Sequence, residues 1–503
     1  MSARSTQSSR VAIVGGGLAG LAAGCALADA SFHVTLFERR PYPGGRASSY
    51  EHPGTGEVVD NCQHVLLGCC TNLVQFYKCI GVENEICWYD RLTFLEPGGR
   101  ASTIAPSALP APFHTAPSFL RAACLRLSDK IAIARAMAAL APAVPTGNEE
   151  SFLMWLRRHH QTERAIERFW KTILVSALNE DLDRMSVPYA AQVIRESFLK
   201  SATAGRMGVP TVPLTELYSA AGDYIEAHGG ETRFRSGVEC FRGDPSEVRL
   251  YAAGKETSFD FVVFAVPFDA LLRMLPQVAE AEALRKNLLR FETSPITGIH
   301  LWFDCQITDL DHAVLLDRTI QWMFHKSKLL AGSAGRTRRP PESRRDAGAT
   351  EVEGHDFSRA AKSPTRNGAL APEGSYVELV VSSSKTLVEK SKSEITELAL
   401  KELCEFFPGA RDAKLLKSTV IKEVNATFSP RPGVDAYRPK SETAWHRVFL
   451  AGDWTATGWP ATMEGAVRSG YTAAEAVAKA AGLKDTRFLV PDLAAAGFMR
   501  LFR

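Results

Sequence analysis

A surplus of either charge is missing from this chain of 503 residues: 59 Lys and Arg stand against 56 Asp and Glu, and a net charge of +3 gives no footprint for a nucleic acid. Metal-site spacing is missing as well. Five of the ten cysteines are Cys62, Cys69, Cys70, Cys79 and Cys87, yet no two of these form a CxxC pair, so free thiols in a reducing compartment are favoured over a zinc site. The opening MSARSTQSSR lacks the apolar stretch of a signal peptide, which predicts cytoplasmic residence. Residues 11 to 28 carry no charge but contain five glycines, a pattern for a buried strand, turn and helix rather than a membrane span. With 45% apolar and 23% charged residues, the chain has the composition of a folded protein of two or three structural units.

The basic residues are unevenly spread. Residues 326 to 366 hold ten Lys or Arg and five Asp or Glu, leaving a net −2 for the rest of the chain. The segment 326 to 372 is rich in Arg, Gly, Ser, Pro and Ala, with Phe357 its only aromatic residue, and is predicted to be a disordered, solvated insertion. Elsewhere, residues 11 to 14, 232 to 241, 259 to 266, 299 to 303, 321 to 324 and 376 to 381 read as strands. Residues 128 to 140 and 151 to 178 carry helical periodicity, and 97 to 118 read as an irregular excursion.

Three motifs carry chemistry. Gly15-x-Gly17-x-x-Gly20, including Leu18 and Ala19, follows a strand and opens a helix, and Glu38 closes the next strand. This is the dinucleotide fingerprint: a tight turn, close approach of a pyrophosphate to helix N–H groups, and an acid for ribose hydroxyls. The second motif runs from Glu38 through Arg39 and Arg40 to Gly44, Gly45 and Arg46, where two glycines allow close backbone approach and Arg46 offers a fork to a phosphate. Arg39 and Arg40 read equally as solvated turn residues, and Glu38 argues against an NADP 2′-phosphate. In the third, a strand ends at Gly452-Asp453-Trp454 and a helix begins near Met463, so that Asp453 faces ribityl-type hydroxyls and a helix N-terminus faces the anionic edge of a reduced flavin.

GGGLAGLAAGCAL and FERRPYPGGRASS near one end, with FLAGDWTATGWPATMEGAVRSGYTAAEAV near the other, resemble the flavin-dependent amine oxidase and phytoene desaturase superfamily. VVDNCQHVLLGCC at 58 to 70, SALNEDLDRMS at 176 to 186 and TGWPATMEGAVRSG further resemble its squalene-associated branch, the hydroxysqualene dehydroxylases of hopanoid synthesis. The branch pattern has a glycine where this chain has Cys62, and the insertion is a second departure.

The resemblance implies an α/β fold with a Rossmann-type FAD-binding domain and a second, mixed-sheet and helical substrate domain. It places the FAD domain at 10–96, 205–295 and 440–482, the substrate domain at 97–204 and 296–439, and a tail at 483–503. It implies non-covalent FAD held by Gly15, Gly17, Gly20, Glu38, Gly45, Arg46, Gly452, Asp453 and Met463, with the Val238 backbone at the adenine. The implied reaction is reduction of 1-hydroxysqualene to squalene.

That reaction requires a proton donor, a shielded allylic cation and a hydride source. His64 is the first candidate acid, Asp181 and Glu180 are weaker ones, and Trp459 and Trp454 are candidate π shields. A satisfied histidine and core tryptophans are the structural alternatives. The implied partners are an isoprenoid substrate, an electron donor and neighbouring squalene-pathway enzymes. The tail, with Phe488, Leu489, Val490, Leu493, Phe498, Met499, Leu501 and Phe502 among Arg500 and Arg503, is predicted to touch a membrane surface as a helix or to dock on the protein's own core. Polyene desaturation, amine oxidation and a flavin-bound scaffold without turnover remain open at this stage.

Overall fold

The computed structural model describes residues 9–147, 149–244, 246–331 and 374–502. Arg10–Val14 (β1), Leu18–Asp29 (α1) and His33–Phe37 (β2) form the predicted βαβ unit, with β1 and β2 parallel from Arg10 opposite His33 to Val14 opposite Phe37. The apolar run of β1 shows no alternation because both of its faces are covered. Val11 and Ile13 join the core built on α1, whereas Ala12 and Val14 join a second core with Phe241, Leu250 and Phe259.

Glu231–Arg233 (β3), Phe261–Phe264 (β4) and Val448–Leu450 (β5) complete a parallel sheet in the order β3-β2-β1-β4-β5. Strand order reverses between β1 and β4, and a ligand crevice is expected at the carboxyl ends of strands flanking such a reversal. The final helix, Met463–Ala480 (α2), packs along α1.

The second half is built on a seven-stranded sheet, in the order Leu415–Phe428, Thr293–Phe303, Ser375–Ser382, Trp322–His325, His312–Leu315, Leu92–Leu95, Ala101–Ile104. Helix Lys392–Phe406 covers one face of it. Helices between Leu127 and Ile194 form a separate layer over the core that also takes in Phe94 and Val314.

The structure departs from the sequence reading in six places. The irregular excursion expected over 97 to 118 contains the strand Ala101–Ile104 and the start of the helix Ala116–Arg121. Leu92–Leu95 pairs in parallel with His312–Leu315, so the substrate domain begins before the boundary set at 96. The strand expected over 232 to 241 is two strands in different sheets, split where Arg235 adopts φ +53°. The single helix expected over 151 to 178 is interrupted at His160, φ +52°, and winds as a π-helix over Ile166–Lys171. The insertion does not start at 326: Lys326–Ala331 is helical and the Lys326 side chain is only 2% exposed, while 332 to 372 lie outside the described residues. The tail forms no α-helix among its described residues. It runs without regular secondary structure, the Phe488 and Leu489 N–H groups donating to Glu475, and ends in a 3-10 turn at Gly497–Leu501. Among the described residues, no helix is long and apolar enough to cross a membrane.

Candidate active site

A connected cavity of about 690 Å³ begins at the carboxyl ends of β1 and β4 and continues between the helical layer and the seven-stranded sheet. At its nucleotide end, Gly15 takes φ +113°, and a Cβ there would stand 2.6 Å from the Ala265 carbonyl oxygen, so only glycine lets β1 turn beside the end of β4. Gly17 bridges to Gly44, and a Cβ on Gly45 would lie 3.0 Å from the Gly17 Cα. Two backbones thus make a cradle with no side chains between them. Among the described residues no side chain caps α1, leaving its first N–H groups available to a pyrophosphate. Glu38 accepts from Gly16 N at 2.7 Å and Arg40 N at 2.8 Å, which fixes the carboxylate and leaves its remaining lone pairs for ribose hydroxyls.

The other predicted cofactor residues also line the cavity: Leu18, Ala19, Arg39, Arg46, Val238, Gly452, Asp453 and Met463. Gly20 does not line it; it seats α1 on the turn, where an added Cβ would fall 1.9 Å from the Gly15 carbonyl oxygen. Arg46 is not a free phosphate fork. Its guanidinium donates to Asp453 Oδ1 and to the Ala426 carbonyl, both at 2.7 Å, joining the second and third motifs. Burial works against its charge, but Asp453 outweighs burial and holds the Arg46 pKa above its ordinary value. Thr462 caps α2 through Gly465 N, and Met463 accepts a hydrogen bond from Tyr218 at 3.5 Å.

The cradle, the uncapped helix and the acid suit the pyrophosphate and ribose of FAD, and this chain is a flavin-dependent oxidoreductase with a two-domain amine oxidase-like fold. Residues 18–478 match the family model described as flavin containing amine oxidoreductase, and the chain belongs to that family. It is 27% identical over 493 residues to 15-cis-phytoene desaturase of Synechococcus elongatus, covering 93% of this chain and 95% of that protein. The probable zeta-carotene desaturase of the same organism is 24% identical over 503 residues, covering 94% and 99%. The fold is shared with an oxidoreductase from Methanosarcina mazei (TM-score 0.67, 17% identity, 92% and 98% covered) and with putrescine oxidase bound to putrescine (TM-score 0.63, 16% identity, 95% and 99% covered).

Beyond the cradle the walls turn apolar, with Leu66, Ile173, Val193, Phe198, Trp322 and Phe324 among them. The carboxylates on this side are engaged. Glu196 pairs with Lys200 at 2.6 Å, and buried Glu464 holds Arg468 at 2.6 Å and the amides of Asn72 and Leu73.

His64 lines the cavity in the turn after Cys62. Its Nδ1 lies 2.7 Å from the Cys62 carbonyl oxygen, so Nδ1 carries the hydrogen. Burial is the largest influence on the ring and pushes its pKa below the ordinary histidine value. With Nδ1 committed to the Cys62 carbonyl, Nε2 is the nitrogen left to exchange a proton, and burial favours the neutral ring, whose Nε2 accepts.

The other catalytic candidates fare differently. Asp181 does not line the cavity; its half-exposed carboxylate pairs with Lys385 at 2.9 Å, because the αL turn at Asn179 ends the helix before it. Glu180 is fully buried but held by Lys385 and Ser429, a structural anchor. Trp459 lines the cavity, yet the Arg468 guanidinium already sits 4.5 Å over its ring, so that ring is engaged by a cation of the protein's own. Trp454 also lines the cavity and is fixed by donation to the Val266 carbonyl at 3.0 Å.

Sequence reasoning missed Gln63, Asn179 and the Ala265-Val266-Pro267 rim, all of which line the cavity. The rim had a usable signal, an apolar strand stopped by proline at the reversal of strand order. Gln63 had none: it is placed by Lys326, 263 positions away, which donates to its Oε1 at 2.8 Å.

Proposed function

We propose that this flavoprotein removes hydrogen from an extended polyisoprenoid, as a polyene desaturase acting on a carotenoid-type precursor. The observation that carries this reading is His64 on the wall of a cavity with an apolar substrate side, its Nδ1 taken by the Cys62 carbonyl so that Nε2 is the nitrogen left for proton exchange. Desaturation takes a hydride from one carbon and a proton from its neighbour, so it calls for a base and no acid. Bound FAD supplies hydride acceptance at N5. The protein's residues then have three tasks: to lay the chain along the apolar wall, to exclude water, and to receive the proton at His64 Nε2. The 24% and 27% identities to enzymes named for zeta-carotene and 15-cis-phytoene support the same reading. An amine substrate is disfavoured because Glu196 and Glu464 already have cationic partners.

A second reading, reductive dehydroxylation of 1-hydroxysqualene, is favoured by the strings at 58 to 70 and 176 to 186. It requires an acid at the leaving hydroxyl, a role His64 fills only when protonated. An anaerobic experiment separates the two. Oxidised enzyme given phytoene in detergent is expected to bleach its flavin and form a longer conjugated chromophore. Photoreduced enzyme given 1-hydroxysqualene is expected to stay reduced. Reoxidation matched by squalene would reverse the order of the two readings.

A further inference from the structure

Large exposed apolar side chains concentrate on one face. Leu120 is 60% exposed, Phe113 54%, Leu127 67%, Phe498 52% and Leu501 78%, with Ile131 one helical turn beyond Leu127. They come from three segments that the fold joins. The Phe498 N–H donates to the Ala111 carbonyl at 2.8 Å, the Phe113 and Phe498 rings meet edge to face at 6.1 Å, and Lys130 Nζ donates to the Leu120 carbonyl at 2.7 Å. Exposed apolar groups gathered in this way mark an interaction surface.

The segments that form it expose charges of one sign. Residues 105 to 135 and 493 to 502 contain Arg121, Arg126, Lys130, Arg135 and Arg500, and the single acid among them, Asp129, is buried with its oxygens taken by Arg126 N and Thr162. Exposed apolar groups on segments that themselves expose only cations complement an anionic bilayer, and Asp492, the exposed acid just before the tail segment, is paired with Arg468. The same tail ties the patch to the cavity wall: Leu493 packs against the cluster of Cys69, Ala204 and Trp459, and the Ala496 N–H donates to the Lys200 carbonyl.

We propose that this composite face, formed by residues 109 to 135 and the C-terminal turn, docks the protein on an anionic lipid bilayer and sets the Trp459 side of the cavity toward it. Membrane contact is thus made by loops and helix ends rather than by the amphipathic C-terminal helix the sequence suggested. The inference deepens the polyisoprenoid reading, since such a substrate resides in lipid, but its test does not depend on turnover.

FAD-loaded protein is mixed with vesicles of phosphatidylcholine alone, or of equal parts phosphatidylcholine and phosphatidylglycerol, and bound protein is measured by flotation at low and high salt. Binding is expected with phosphatidylglycerol, weakening with salt. The triple substitution Arg121→Glu, Lys130→Glu, Arg500→Glu is expected to reduce it on the order of a hundredfold, each basic group being worth about fivefold. Phe113→Ser with Leu501→Ser should also reduce it, with flavin absorbance and the size of the protein in solution unchanged in both variants. The proposal is overturned if the wild type stays with neither vesicle, if the variants bind as well as the wild type, or if the substitutions change only self-association. Should vesicle binding hold while neither polyene is processed, the surface stands and the substrate reading falls.

Discussion

Lys326 Nζ lies 2.7 Å from Asp60 Oδ2, joining residues 266 positions apart in a place where both side chains are almost wholly buried. The same ammonium donates to Gln63, whose Nε2 donates to the His64 carbonyl at 3.0 Å, so the turn that carries the candidate base rests on a buried ion pair. Burial opposes the Asp60 charge, but Lys326, Ser49 and the Leu214 amide outweigh it and keep the carboxyl below its ordinary range.

Lys326→Met should therefore cost about 3–5 kcal/mol of unfolding free energy, because it leaves Asp60 buried without its counter-ion. Pairing it with Asp60→Asn should restore a large part of that loss. Urea unfolding of the two variants checks this. A single variant as stable as the wild type would mean the pair contributes nothing.

Glu378 sits beside this pair, with Oε2 3.7 Å from Lys326 Nζ, and faces His300 across adjacent strands. Burial, only partly offset by Lys326, raises its pKa to about 8. A carboxyl that holds its proton more tightly when folded favours the folded state below its unfolded pKa, near 4.3, and loses that advantage as pH rises toward 8. Glu378→Gln should remove this slope, so that the variant gains stability relative to the wild type as pH goes from 5 to 8. Parallel stability curves for the two proteins over that window would refute the assignment.

Gly15→Ala should strip the flavin. It places a Cβ 2.6 Å from a backbone oxygen at φ +113°, with no flexible side chain able to yield. Gly56→Ala is the control, since its φ of +69° adds similar strain but its Cβ meets nothing within 4 Å. Flavin absorbance per protein should fall for the first and hold for the second.

The nucleotide half of this protein was legible because its signals are local. The glycines, Glu38 and the Gly452-Asp453 turn each act within a few residues of a strand end, and all but Gly20 line the cavity. What could not be read was set by distant pairings. Asp181 looked available for catalysis, but Lys385, 204 positions away, holds it outside the cavity. Lys326 looked like the first cation of a solvated insertion, and no periodicity could show that Asp60 waits for it. Arg46 looked like a phosphate ligand because its partner, Asp453, lies 407 positions on. The direction of proton transfer at His64 was equally out of reach, since it depends on which ring nitrogen meets the Cys62 carbonyl and on burial by walls drawn from both domains.

That direction yields the most exposed prediction. If His64 accepts a proton, the active enzyme is the one with a neutral ring. Burial lowers its pKa below 6.5, so desaturation should be flat through neutral pH and fall only on the acid side of that value, as the imidazole gains its second proton. If His64 were instead the acid of a dehydroxylation, the rate would rise over that same acid range. His64→Ala should lower the chemical rate about 10²–10⁴-fold and abolish the acid limb while leaving flavin content unchanged. Single-turnover flavin bleaching, measured across pH in both proteins, decides the matter: an acid limb that survives the substitution belongs to another group, and His64 would then be only the hydrogen-bonded corner of its turn.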